Sequence, residues 1–205
     1  MTVSINDFDG VKLNISNPVK KNDKYIADLT YNKTSLVIQT PKVGICDINE
    51  RSLGIVINTN SFYNFLGTFD ELVINTILKK SEEWFSQKLT IDQCHEIYKR
   101  SIISPYNSDL QPSMFIKITE DSKVFDSVKE MDIKDVKLDD NIICLIKCDK
   151  LIFYRTYCVP HWEIIQIKIK KKKLDTREYL IKDIEDDNIE IKNPKIPEIP
   201  NLNNI

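Results

Sequence analysis

The sequence predicts a mainly β protein, built as a small barrel or sandwich with helices packed at one end. Two observations predict this class, and a third separates a tail from it. Ile occurs 32 times and Ala once among 205 residues, and this usage favours strands over helices. Alternating apolar runs stand on both sides of a segment with helical spacing. From residue 174 onward the chain becomes acidic and contains repeated prolines, which is typical of a tail.

Residues 11–58 are predicted to form the first strands. Residues 25–31 alternate between apolar and polar side chains, and Asn32 with Lys33 predicts a turn into a second strand at 35–40. Gly44 and Gly54 interrupt the strands that follow, the second of which is predicted at 53–58.

A two-helix insertion is predicted at about 68–102. Thr68 and Glu71 have the spacing of a capping box, in which a Thr hydroxyl and a carboxylate each accept a backbone N–H at a helix start. Apolar residues follow at helical spacing as far as Trp84. A second capping box at Thr90 and Gln93 predicts a shorter helix.

Strands are predicted again between residues 113 and 170. Turns are expected at 139–141 and 148–150, and Pro160 is expected to end the strand that contains it. The predicted strands are 114–119, 133–138, 142–147, 151–158 and 162–170.

These strands divide into two faces, because successive side chains of a strand point to opposite sides. Several strands pair an apolar face with a face that mixes rings and cations, and in 162–170 the predicted mixed face combines Trp162 with Lys168 and Lys170. Unpaired bases stack on rings while cations neutralise phosphates, so the mixture favours a groove for single-stranded nucleic acid. The same pattern also fits rings packed beneath helices. The predicted contact residues are Phe115, Lys117, Lys147, Phe153, Arg155, Tyr157, Trp162, Lys168 and Lys170.

Several stretches between about residues 65 and 170 carry a family resemblance. They are Phe69-Asp70-Glu71, Glu83-Trp84-Phe85, Tyr98 and the segments 112–118, 142–148, 151–154 and 162–169. In these stretches the chain resembles the OB-fold single-stranded DNA-binding proteins of nucleo-cytoplasmic large DNA viruses, a group related to the replication binding protein of podophages. The resemblance implies an OB-like five-stranded barrel, a basic aromatic groove and DNA binding in viral replication or recombination.

The resemblance also implies a role for the C-terminal residues. Composition divides the chain into a barrel domain at 1–173 and a tail at 174–205. The resemblance implies that this tail competes with DNA and recruits replication proteins. The tail has eight acidic and four basic residues, and five lysines precede it between 168 and 173. It departs from the family in ending at Ile205 instead of an aromatic residue. The implied location is the host cytoplasm or a viral factory.

A second hypothesis is a viral structural or assembly protein, located in the virion, whose β core and C-terminal arm hold neighbouring subunits. The rings of Phe115 and Trp162 would then be buried against protein. An inert scaffold is a third interpretation. The sequence leaves open a homodimer, and also whether the nucleic acid is DNA or RNA.

Catalytic and metal-binding functions are not expected. Cys144, Cys148, Cys158 and His161 could supply four zinc ligands, but Cys144 lies within an apolar strand, where free cysteine is a common core residue. The sequence has no glycine-rich phosphate loop and no nucleophile elbow. We therefore predict a protein that is not an enzyme and needs no cofactor.

Composition bears on where the chain resides. Its longest apolar runs are shorter than the roughly 20 residues of a spanning helix, so no membrane partner is expected. The start of the chain lacks the features of a secretory signal, and five cysteines are an odd, sparse set, which favours reduced thiols in the cytosol. The net charge of −2 gives no indication of a partner by itself.

Overall fold

Strands precede and follow a pair of helices along the chain. The computed structural model describes residues 2–107, 110–126, 129–138 and 140–170. In this part of the chain the helices are α1 (Asn60–Phe85) and α2 (Ile91–Ile97). The strands are β1 (Leu13–Ile15), β2 (Val19–Lys21), β3 (Lys24–Tyr31), β4 (Leu36–Gln39), β5 (Val43–Ile48), β6 (Ser52–Val56), β7 (Ser113–Lys117), β8 (Lys123–Phe125), β9 (Glu130–Met131), β10 (Asn141–Phe153) and β11 (Cys158–Lys170).

Five of these strands close into a barrel. β5 pairs with β6, β6 with β7, β7 with β11, β11 with β10, and β10 returns to β5. Every pair in this ring is antiparallel except β7 and β11, which run parallel. The helices are inserted between β6 and β7. The predicted fold class, mainly β with a small barrel and a two-helix insertion, is confirmed.

The two longest strands, β10 and β11, run 13 residues each. The predicted turn at 148–150 is wrong, because β10 continues through it, and a register shift between Cys148 and Leu151 accommodates its polar residues. The predicted strand at 151–158 is also wrong. Its first three residues end β10, the next four form a turn, and Cys158 begins β11. Pro160 lies inside β11, opposite Leu151.

A β-bulge in β11 changes which residues face the core. Gln166 pairs with Leu145 and Ile164 pairs with Ile146, so Ile165 is an extra residue. The predicted face that combined Trp162 with Lys168 is therefore wrong. The residues of β11 that point inward around the bulge are Trp162, Ile164, Ile167 and Ile169, and all four are buried.

Helix α1 begins at Asn60, eight residues before the predicted start at Thr68. Its buried stripe begins at Phe62 and continues through Phe65 and Phe69. The capping box of α2 is confirmed: Thr90 Oγ1 accepts from Gln93 N at 3.3 Å, and Gln93 Oε1 accepts from Thr90 N at 2.9 Å.

The structure confirms one local prediction from the sequence, at residues 32–33, and contradicts another, at residues 133–138. Asn32 and Lys33 form the predicted turn, with φ angles of 50° and 66°. The predicted strand at 133–138 is wrong, because Ile133–Asp135 is a 3-10 turn capped by the Asp132 side chain.

No helix in the part of the chain described is long and apolar enough to cross a membrane. The predicted tail at 174–205 lies outside the described residues.

Candidate nucleic-acid interface

The turn between β10 and β11 carries two exposed rings. Tyr154 N donates to Tyr157 O at 2.8 Å, which closes the turn. The two tyrosine rings stack with their centroids 4.7 Å apart and remain 40% and 36% exposed. Flat aromatic surfaces therefore reach solvent at this end of the two long strands.

A groove of about 660 Å³ lies beside this turn. It is bounded by the β2–β3 hairpin, the C-terminal end of α1 and the end of β10. Its volume falls in the range of about 300–1,000 Å³ that is usual for small-ligand sites. We call it the tip groove and define it by Asn17, Lys20, Tyr25, Trp84, Phe153, Tyr154 and Arg155.

Aromatic side chains form the floor and the rim of the tip groove. Phe153 is buried, and Trp84 and Phe85 pack on it with ring centroids 5.6 Å and 6.0 Å away. Tyr25 is 49% exposed and lies on the rim with Tyr154. The floor is thus held by the core, while the rim rings are accessible to a ligand.

Cations surround these rings. Lys20 and Arg155 line the groove. The Lys24 ammonium lies 5.9 Å from the Tyr154 ring centroid, and the Lys80 ammonium lies 5.5 Å from that of Trp84. Within the described lining, the carboxylates are Asp23 and Glu83. The lining thus holds two cations and two carboxylates, and Lys24 and Lys80 add two further cations beside the rings.

Asn17 holds one wall of the tip groove together. Its Oδ1 accepts from Trp84 Nε1 at 3.1 Å and from Lys80 Nζ at 3.3 Å, and its Nδ2 donates to Glu83 Oε1. Because the indole N–H is already bonded, the Trp84 ring has a fixed orientation in the groove.

A buried carboxylate fixes α1 to the barrel. Asp70 is fully buried and accepts from Tyr98 Oη at 2.7 Å, from Ser101 N at 2.9 Å and from Ser101 Oγ at 2.8 Å. Trp162 Nε1 in turn donates to Ser101 Oγ at 3.0 Å. Burial raises the pKa of Asp70, although the bonds from Tyr98 and Ser101 oppose this shift. The network holds the helix whose far end forms the tip groove.

Three of the nine predicted contact residues lie at this end of β10 and β11. Arg155 lines the tip groove, and Tyr157 supports the Tyr154 ring from outside it. Phe153 is only 6% exposed, so the prediction that its ring is available for stacking is wrong. It forms the floor instead, because it is the last residue of β10 and faces the core.

Trp162 is the clearest error among the predicted contacts. It is 4% exposed, its ring centroid is 5.1 Å from that of Phe69, and its indole N–H is bonded to Ser101. The bulge at Ile165 reverses the alternation, so a face counted back from Lys168 assigns Trp162 to the wrong side.

Three more predicted residues share the outer surface of the barrel, away from the turn. Phe115 is 44% exposed on β7, next to the exposed Lys117. Lys117 pairs with Glu163, which pairs on its other side with Lys147. Lys147 Nζ lies 2.9 Å from Asp149 Oδ2 and 3.1 Å from Glu163 Oε2, so its charge is already balanced by carboxylates.

Lys168 and Lys170 are exposed at the opposite end of β11. A strand rises about 3.3 Å per residue, so Lys168 and Lys170 lie about 33 Å and about 40 Å from the β10–β11 turn when measured along the strand. The expectation that all nine residues share one groove is therefore wrong. The residues predicted from the sequence did not include Tyr25, Trp84 and Tyr154. The alternation of 25–31 and the tyrosine after Phe153 were signals in the sequence for two of them.

The possible metal ligands do not converge as the zinc hypothesis would require. Cys144 and Cys158 face the core, where burial raises the pKa of each thiol to about 12, whereas His161 lies on the outer surface. Among the residues described, the one cluster with ligand spacing is Asp149, His161 and Glu163. The Lys147 ammonium already lies between the two carboxylates of that cluster.

Comparison with known proteins identifies a family. Residues 41–183 match a family of unknown function, DUF5871, and this match spans most of the chain. The chain belongs to this family. No curated protein matches it.

Solved structures of one phage protein are similar to the chain. One is the single-stranded DNA-binding protein of bacteriophage Enc34 in complex with ssDNA, with 9% identity, a TM-score of 0.46, and 77% of this chain and 96% of that chain covered. A C-terminal truncation of the same protein has 11% identity, a TM-score of 0.46, and 79% and 96% covered. A third structure of it has 7% identity, a TM-score of 0.42, and 78% and 90% covered.

Proposed function

We propose that the chain binds single-stranded DNA in the tip groove and performs no chemistry on it. The observation that carries the proposal is the meeting of Tyr25, Trp84 and Tyr154 with surrounding cations in one open groove. An unpaired base stacked on a ring contributes about 1–3 kcal/mol. Cations beside the rings neutralise the phosphates that flank the base.

The groove favours unpaired over paired bases. Its rings offer flat faces, and the faces of bases in a duplex are already covered by their neighbours in the stack. A strand with free bases can turn them toward Tyr154 and Trp84, as single-stranded nucleic acids do on aromatic side chains. Duplex DNA could use only the cations, and its binding would be correspondingly weaker.

The proposed setting is replication or recombination in a large DNA virus, in the host cytoplasm or a viral factory. The sequence resemblance to viral DNA-binding proteins supports this setting. The recruitment of replication proteins by residues 174–205 stays a prediction, because those residues lie outside the part described. Homodimer formation likewise stays a prediction, as does the absence of enzymatic activity.

The proposal is tested by titrating a dye-labelled oligo-dT with the full chain and following fluorescence anisotropy. We expect binding that weakens as salt rises, and weaker binding to a duplex of equal length. Tyr154→Ala is expected to lower the affinity by about 5-fold to 150-fold, the equivalent of one lost stack.

Tyr63→Ala is the matched control, because Tyr63 is a 43% exposed tyrosine on α1 that does not line the tip groove. The control is expected to bind as the wild type does. Equal affinity for duplex and single strand would contradict the proposal, and so would equal losses in the two variants. Sedimentation that shows self-assembly without DNA, together with no oligonucleotide binding, would favour the assembly hypothesis.

A further inference from the structure

Two rings of the tip groove, Tyr154 and Trp84, each carry a lysine over one face. Tyr157 stacks on the Tyr154 ring, and the Lys24 ammonium lies over that ring at 5.9 Å from its centroid. The stacked ring of Tyr157 occupies one face of Tyr154 and leaves the other face. That remaining face is the one a base would need.

Trp84 repeats the arrangement on the opposite wall. The Lys80 ammonium lies 5.5 Å from its ring centroid, while Phe153 meets the indole nearly at a right angle, at 82°. Asn17 accepts hydrogen bonds from both Trp84 Nε1 and Lys80 Nζ, so one side chain sets the positions of the ring and of its cation.

Lys24 and Lys80 are placed to leave the aromatic rings and to pair with the phosphates of a bound strand. A cation over a partly exposed ring contributes less than a stacked base does. A displaced ammonium has a long flexible stem and can reach the phosphate next to the base that displaced it. The exchange therefore gains a stack and keeps a charge interaction.

Resting on the proposed function, we propose that the tip groove holds two nucleotides of a single strand. One base stacks on Tyr154 in place of Lys24, and the other stacks on Trp84 in place of Lys80. Both ammonium groups then pair with the phosphates of those nucleotides. Asn17 is a positioning residue, since it accepts hydrogen bonds from both Trp84 and Lys80.

The tryptophans make this arrangement directly observable. The chain has two, Trp84 and Trp162. Trp162 is 4% exposed, so a base can reach only Trp84. We expect oligo-dT to quench the intrinsic fluorescence, with dT2 producing most of the quenching that a longer strand produces at saturation. Trp84→Phe is expected to remove the quenching and to keep binding, because a phenyl ring still stacks.

The movement of Lys24 and Lys80 from the rings to the phosphates is tested by the salt dependence of the binding constant for oligo-dT. For single strands the slope of log K against log salt changes by about 0.7 for each phosphate neutralised. Lys80→Gln and Lys24→Gln are each expected to reduce the slope by that amount. Lys79→Gln is the matched control, because Lys79 is exposed beside Lys80 on the same helix, whereas it is the Lys80 ammonium that lies over Trp84. Its slope is expected to equal that of the wild type.

The outcomes separate this inference from the function it rests on. If oligo-dT binds without quenching Trp84, or if Lys80→Gln and Lys79→Gln give the same slope, the two-nucleotide arrangement is wrong while DNA binding stands. If no oligonucleotide binds in anisotropy at low salt, both proposals are overturned. Quenching by dT2 together with a reduced slope for Lys80→Gln supports the arrangement.

Discussion

Replacing Tyr98 with Phe removes one hydrogen bond from a buried carboxylate and keeps the ring. Tyr98 is 3% exposed, and its Oη lies 2.7 Å from Asp70 Oδ1. A hydrogen bond to a charged acceptor contributes about 1.5–3 kcal/mol. Ser101 keeps both of its bonds to Asp70, so the carboxylate is not orphaned. We expect the free energy of unfolding to fall by about 2 kcal/mol.

Urea unfolding followed by circular dichroism measures this change. The midpoint is expected to fall while the slope stays constant, because the substitution leaves the buried surface almost unchanged. Tyr63→Phe is the control, since Tyr63 is 43% exposed, and it is expected to change the free energy of unfolding by less than about 0.5 kcal/mol. A Tyr98→Phe variant as stable as this control would refute the role given to the network.

Three further predictions follow from the same structure. Burial raises the pKa of Asp70 above its ordinary 3.8, so the stability this group contributes is lost as pH rises through the raised pKa. The difference in free energy of unfolding between wild type and Asp70→Asn is therefore expected to fall above pH 3.8 in urea titrations at several pH values. Arg155→Glu is expected to weaken the binding of oligo-dT and to reduce its salt slope by at least about 0.7, whereas Lys170→Glu leaves both unchanged. A thiol reagent is expected to modify Cys46 alone in the native chain and all five cysteines after unfolding, because the other four are buried.

Alternation along a strand was a sound guide where the strand is regular. Ile142 and Cys148 and the like-facing residues between them are buried, as the period of two predicts. In β11 the same rule failed at a bulge. The extra residue, Ile165, has the same side chain as Ile164 before it, so nothing in the sequence marks the interruption.

The start of α1 was hidden by a misleading local motif. Thr68 and Glu71 have capping-box spacing, yet both lie inside a helix that begins at Asn60. A capping box needs only two residue types three apart, so it also occurs by chance within helices. The spacing of Phe62, Phe65 and Phe69 was the stronger signal, because a buried stripe depends on many contacts.

The tip groove could not be predicted because its parts are distant in the sequence. Tyr25, Trp84 and Tyr154 belong to a hairpin, a helix end and a turn. The pairing of β10 with β3 and the packing of Trp84 on Phe153 bring them together. Each residue taken alone looks like an ordinary surface or core aromatic. Neither periodicity nor spacing reports a contact of this kind.

The strands that pair with β10 are synthesised well before it, and this order affects folding during translation. β3, β4 and β5 each pair with β10 in the folded chain. β10 leaves the ribosome roughly 100 residues after them, or about 5–20 s later at the usual speed of translation. During that interval the backbone edges that later meet β10 are unpaired and can recruit other nascent copies into aggregates. The yield of soluble material in a recombinant host is therefore expected to depend on chaperones that shield the unfinished sheet.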